Sequence, residues 1–129
     1  MTTTLVALIL LCLMPGTAMA QEAKVTSVMS KDLPESPGKE MLMIIVEHAP
    51  GGSNPAHRHN AHAMVYVLQG SVVMQVKDGK EVTLTPGQSF YEGPDDIHVV
   101  DRNASSTKPA KFLVVLIKAK GAPALVPVK

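Results

Sequence analysis

The stretch Gly51-Gly52-Ser53-Asn54-Pro55-Ala56-His57-Arg58-His59-Asn60-Ala61-His62 decides how this chain is read. It gathers three of the five histidines within six positions, between a Gly/Pro turn and the apolar run Met64-Val65-Tyr66-Val67-Leu68. In extended backbone, side chains two residues apart point to the same side. His57 and His59 therefore present two imidazoles to one point, a geometry that suits a metal ion. His98 follows a second turn, Gly93-Pro94-Asp95-Asp96-Ile97, and is placed to close such a site from another strand. His62 has the opposite parity but precedes the strand, where alternation need not hold. It reads as a fourth ligand, a supporting group, or an exposed loop histidine.

Outward from this stretch the chain reads as short strands between turns. Residues 25–29 form an edge strand, and 32–39, with Pro34, Pro37 and Gly38, a loop. The apolar run 41–46 is a buried strand, as its brevity and flanking Pro and Gly indicate. Residues 64–69 and 72–77 are strands joined tightly at Gly70-Ser71. Asp78-Gly79 predicts a two-residue hairpin with Gly79 at positive φ, returning through Val82-x-Leu84. Pro86-Gly87 turns the chain into a short strand over 89–92, and 112–117 is a second buried strand. The end, 121–129, with Pro123 and Pro127, reads as an extended arm. No stretch beyond the leader sustains a helical period. Strands with a turn about every 8–12 residues predict an all-β sandwich or barrel. A jelly roll protects the sheet edges at this length.

Length and composition agree with one domain. The chain has 129 residues, 46% hydrophobic and 18% charged, with a formal net charge of +1. That balance is globular and carries no basic block, so nucleic acid is not an expected partner. Residues 1–20 read as a signal peptide: an apolar core over 5–13, the break Pro15-Gly16, and Ala18-Met19-Ala20 before Gln21. The apolar core is too short to span a bilayer, so no stable membrane anchor is expected. The expected location is periplasmic or secreted. The single cysteine, Cys12, lies in this leader, so the mature chain of residues 21–129 has no disulfide.

Two motifs name a family. The chain resembles the cupins, whose first motif runs G-x5-H-x-H-x3,4-E-x6-G and whose second runs G-x5-P-x-G-x2-H-x3-N. Gly51 or Gly52 opens the first, His57-Arg58-His59 supplies its paired histidines, and Gly70 closes it. Gly87 opens the second, and His98 takes its histidine position. The resemblance covers about residues 40–117. It implies a cupin-type double-stranded β-helix, a jelly-roll barrel, with 21–39 as an N-terminal strand and loop and 40–129 as the cupin domain with its C-terminal arm. Counting back from Gly70, the glutamate position of the first motif is Ala63. The resemblance thus implies a divalent metal (Fe, Mn, Ni, Cu or Zn) on His57, His59 and His98, with Ala63 lining an open position and His62 nearby.

The remaining candidates read more plainly. His48, at a strand end, is structural or exposed. Glu92, just before the second turn, reads as a solvated strand end, with a substitute carboxylate as its lesser reading, and Tyr66 reads as core packing. Met29, Met41, Met43, Met64 and Met74 read as core filler rather than a soft-metal site. Two functional classes follow for the three-histidine centre. One is a metal-dependent enzyme, an oxygenase acting on a small organic molecule. The other is a non-catalytic module that holds or senses a metal or small ligand. Cupins commonly pair through apolar sheet faces, so a homodimer is expected, with the arm placed to cross to a neighbour.

Overall fold

The computed structural model describes residues 19–129. The expected leader therefore lies outside the described residues, apart from Met19 and Ala20. The strands are β1 (Lys24–Asp32), β2 (Lys39–His48), β3 (Ser53–Asn54), β4 (His57–Arg58), β5 (His62–Gln69), β6 (Val72–Val76), β7 (Val82–Leu84), β8 (Ser89–Glu92), β9 (His98–Asn103), β10 (Ala110–Ala119) and β11 (Val126–Pro127). They form two antiparallel sheets. One has the order β1-β2-β10-β5-β8, the other β11-β4-β9-β6-β7, with β3 also on β9. This is the all-β double-stranded β-helix that the sequence predicts. Among the described residues no helix is long and apolar enough to cross a membrane.

Alternation sets the core. In β5, Ala63, Val65 and Val67 are buried while His62, Met64 and Tyr66 are exposed. In β10, Phe112, Val114 and Leu116 point inward, in register with Val46, Ile44 and Leu42 of β2. Val72, Met74 and Leu84 face them from the second sheet. Each such buried side chain contributes about 1.5–3 kcal/mol, so this one cluster accounts for the hydrophobic stability of the domain. A polar link also joins the sheets inside the barrel: His48 Nε2 of β2 lies 2.9 Å from Asp101 Oδ1 of β9.

Three local readings are corrected. Residues 77–81 form a five-residue connection rather than a two-residue hairpin. Its turn closes with the Gly79 amide donating to the Val76 carbonyl, 2.9 Å away. Asp78, not Gly79, takes the positive φ, at 63°; the short carboxylate side chain tolerates the left-handed region. Tyr66 lies on the outer sheet face, 48% exposed. Of the five methionines expected to fill the core, Met74 is fully buried, whereas Met29, Met41 and Met64 are exposed.

Candidate metal centre

Both sheets deliver side chains to one interior point. His57 of β4 is the direct cross-strand partner of His98 of β9, and their rings lie 4.9 Å apart. Directly paired residues share a sheet face, so both imidazoles point into the barrel. His59 follows β4 by one residue, its ring 4.9 Å from His57 and 6.4 Å from His98. Asn60, at φ 49°, then turns the chain out of this sheet and into β5 of the other. The fourth group is Glu92, at the end of β8 in the opposite sheet. One ligand atom each from His57, His59, Glu92 and His98 lie within 4.8 Å of one another.

Backbone carbonyls fix two of the rings. His57 Nδ1 lies 2.8 Å from the Pro55 carbonyl oxygen and His59 Nδ1 2.7 Å from that of Ala124. A carbonyl oxygen only accepts, so Nδ1 carries a proton in each ring, and Nε2 is the nitrogen whose lone pair is free once the ring is neutral. Glu92 bridges the cluster, with Oε1 3.1 Å from His98 Nδ1 and Oε2 3.4 Å from His59 Nε2. His98 Nδ1 has this ion-pair contact alone, and His98 Nε2 is buried without a partner.

Charge is unevenly shared among these groups. Burial opposes the ionised form of Glu92, yet the hydrogen bonds and positive charge of His59 and His98 win and hold its pKa down to about 2. Burial likewise opposes protonation of His59, but Glu92 and the Ala124 carbonyl outweigh it and raise its pKa. His57 is lowered, first by burial and then by the neighbouring histidines against the help of Pro55.

These residues fit a divalent cation. A lone pair on each of three imidazoles plus one carboxylate is a mixed nitrogen–oxygen donor set for first-row divalent ions. A buried imidazole nitrogen left without a partner, as His98 Nε2 is, is costly unless something coordinates it. Two ligands already have the carbonyl partners that orient metal-binding histidines.

A cavity adjoins the cluster. Its water-accessible volume is about 50 Å³, and its walls include Val46, Val65, Phe112, Leu125 and, on the polar side, Asn54 and Asp101. Asp101 accepts from Asn54 Nδ2 at 2.7 Å and pairs with His48, and these contacts keep its pKa below the usual range against burial.

Glu92 is the residue that the sequence reading undervalued. It is only 2% exposed, not a solvated strand end. Its direct cross-strand partner is Ala63, itself wholly buried. The carboxylate thus enters from β8 beside the position where the first motif would place it on β5. One signal was present in the sequence: Glu92 shares the parity of Phe90, the apolar residue of its strand. Ala63 faces the interior next to the cluster. His62 lies on the outer face, its Nδ1 2.6 Å from the Tyr91 hydroxyl and apart from the four grouped residues. His48 is buried and structural, as one of its two readings had it.

The model of the cupin domain family matches residues 44–116 of the chain. A cupin domain from Bordetella pertussis Tohama I is 22% identical, with a TM-score of 0.61, over 78% of this chain and 98% of that one. An uncharacterized conserved protein with a double-stranded β-helix domain from Klebsiella pneumoniae is 18% identical, with a TM-score of 0.64, over 83% and 86% of the two chains. An oxalate oxidase, in complex with the substrate analogue glycolate, is 24% identical with a TM-score of 0.64. That match takes in 86% of this chain but 57% of the oxidase, so the chain spans little more than half of it. No curated protein matches the chain.

Proposed function

The chain belongs to the cupin domain family, and from that premise we propose that it binds a divalent metal ion through His57, His59, His98 and Glu92. The observation that carries this reading is the convergence of four donor atoms within 4.8 Å of one another inside the barrel, with His98 Nε2 buried and unpartnered among them. His57 and His59 would offer Nε2, each held by its carbonyl partner, and Glu92 would supply the one negative charge. Bound there, the ion supplies Lewis-acid and redox chemistry to a small molecule beside it. The chain's own contribution is to orient the donors, exclude bulk water through the apolar walls, and present Asp101 and Asn54 as polar groups across the cavity.

The function we propose is that of a metal-dependent oxygenase acting on a small organic molecule, exported by the leader of residues 1–20. A volume of about 50 Å³ admits only a few water-sized positions, so the substrate is compact. The oxalate oxidase among the similar structures acts within this fold on such a scale of molecule. The same small volume favours a second reading, a non-catalytic module that holds only the ion. The deciding experiment takes untagged protein from its native export compartment, measures its metal content, and follows oxygen uptake with a panel of small carboxylic and hydroxy acids. Stoichiometric metal with uptake supports the oxygenase; metal without uptake leaves the binding module. Metal-free protein that takes up none of iron(II), manganese, nickel, copper or zinc removes both.

As partner we propose a second copy of this chain, docked on the outer face of the five-stranded sheet. In register across that face run Met29, Met43, Val115, Met64 and Tyr91, with Ile45, Leu113 and Tyr66 beside them. Five strands about 4.8 Å apart and mostly about 26–33 Å long give a footprint of about 600–650 Å², roughly three quarters of the ~800 Å² per partner typical of a stable interface.

A further inference from the structure

The C-terminal residues 121–129 do not trail into solvent. Their burial alternates, with Ala122, Ala124, Val126 and Val128 half-buried against the barrel. The segment turns at Gly121, φ 74°, and is pinned there by Lys118, whose buried ammonium donates to the Ala122 carbonyl at 2.6 Å and pairs with Glu40. Beyond Pro123 its partners are in the histidine segment itself. Val126 and Pro127 of β11 pair with Arg58 and His57, and the Val128 amide donates to the Ala56 carbonyl at 3.1 Å. Between these two anchorages, Ala124 accepts from His59 Nδ1, and Ala124 and Leu125 wall the cavity.

The geometry points to this strap as a working part of the metal centre, an inference that rests on the metal reading above. The Ala124 carbonyl is the positioning group for His59. It holds Nδ1 as a donor and so turns Nε2 toward Glu92 and the other histidines, where a metal ion would take the place of the Nε2 proton. His59 needs it more than His57 does. The partner of His57, Pro55, is two residues away in the same segment, whereas Ala124 is 65 positions away and present only when the strap is seated. β11 is two residues long, so seating is held by few bonds and is among the cheaper elements to open. Coupling between two sites is reciprocal. A seated strap strengthens metal binding, and bound metal holds the strap seated. An opened strap also removes Ala124 and Leu125 from the cavity wall, which gives the compact substrate its way in.

Two measurements test this, with cobalt(II) as the probe. A chain lacking residues 123–129 loses no residue of the hydrophobic cluster except Ala124 at its margin. It is expected to bind cobalt about 10- to 100-fold more weakly, with a changed visible d–d spectrum, because His59 is no longer aimed at the ion. A strap that merely braced the fold would move the thermal midpoint and leave that spectrum alone. In the full-length wild type, the Val128 amide is expected to exchange with solvent more slowly once cobalt is bound, and this second measurement decides if the shortened chain does not fold. A folded shortened chain with wild-type affinity and spectrum, or a Val128 amide indifferent to cobalt, overturns the strap inference and leaves the metal reading standing. Wild type that takes up no cobalt overturns both.

Discussion

Single residues at the centre have separable roles. His98→Ala removes the imidazole whose Nε2 is buried without a partner, and metal binding is expected to fall below detection by calorimetry while the β-sheet circular dichroism spectrum is retained. Glu92→Gln keeps the shape but not the charge, and is expected to weaken binding about 10-fold or more. Equal affinity in wild type and both variants would mean that the ion sits elsewhere. Acidity acts on the metal-free protein through the same groups. Glu92 is depressed to about 2, so its stabilisation is present above the ordinary carboxylate value and lost as pH falls through about 2. His57, also lowered, works in the same direction, because it resists the proton that the unfolded chain accepts below about 6.5. His59 is raised and runs the other way: its contribution is complete below about 6.5 and disappears as pH climbs through its higher folded value. The unfolding free energy of metal-free protein, read from urea titrations, is therefore expected to drop on acidification from pH 5 toward 2, by the order of a few kcal/mol. Glu92→Gln should flatten that drop, and an equally steep profile in the variant would assign it to other carboxylates. Metal must displace the His59 proton, so apparent affinity should already weaken on descending from above pH 6.5.

Among the elements, the corners decide the geometry. Gly70, at φ 70°, joins β5 to β6 and so passes the chain from one sheet to the other. A Cβ there would sit 2.4 Å from the Pro109 carbonyl oxygen and 2.9 Å from Ala110 Cα, both backbone. Neither can move without disturbing the start of β10, so Gly70→Ala is expected to cost about 2 kcal/mol or more, from the left-handed φ and the overpacking together. An unchanged thermal midpoint would refute that account. Asn60 does the complementary work at the β4–β5 corner. It separates the parity of His57 and His59 from that of His62, and this sends His62 to the outer face.

For the molecule as a whole, the dimer we propose rests on the outer face of the five-stranded sheet. Met64, Tyr66 and Tyr91 are each about half exposed there, on a sheet whose other face is the core. The C-terminal strap pairs with β4 of its own chain, so the proposed dimer is built on the sheet face and not on that segment. The expected dimer is therefore face to face. Sedimentation velocity at micromolar concentration should give a dimer for wild type and a monomer for Tyr66→Glu, with metal content unchanged because Tyr66 points away from the centre. A monomeric wild type would remove the dimer and leave the site intact.

The sequence by itself determined the fold class, because alternation and turn spacing are local, and so is the two-residue step that puts His57 and His59 on one side. It also located His98 at a second turn. Three features needed the tertiary structure. The burial of Glu92 depends on the register that sets it against Ala63, 29 positions earlier. The outward turn of His62 depends on a positive φ at Asn60, where nothing in the spacing marks the corner. The role of Ala124 depends on a chain end that folds back over the histidines, and it acts through a carbonyl that every residue carries. Parity is written in neighbouring residues, but which strand lies opposite which is fixed only when two sheets close over a common core.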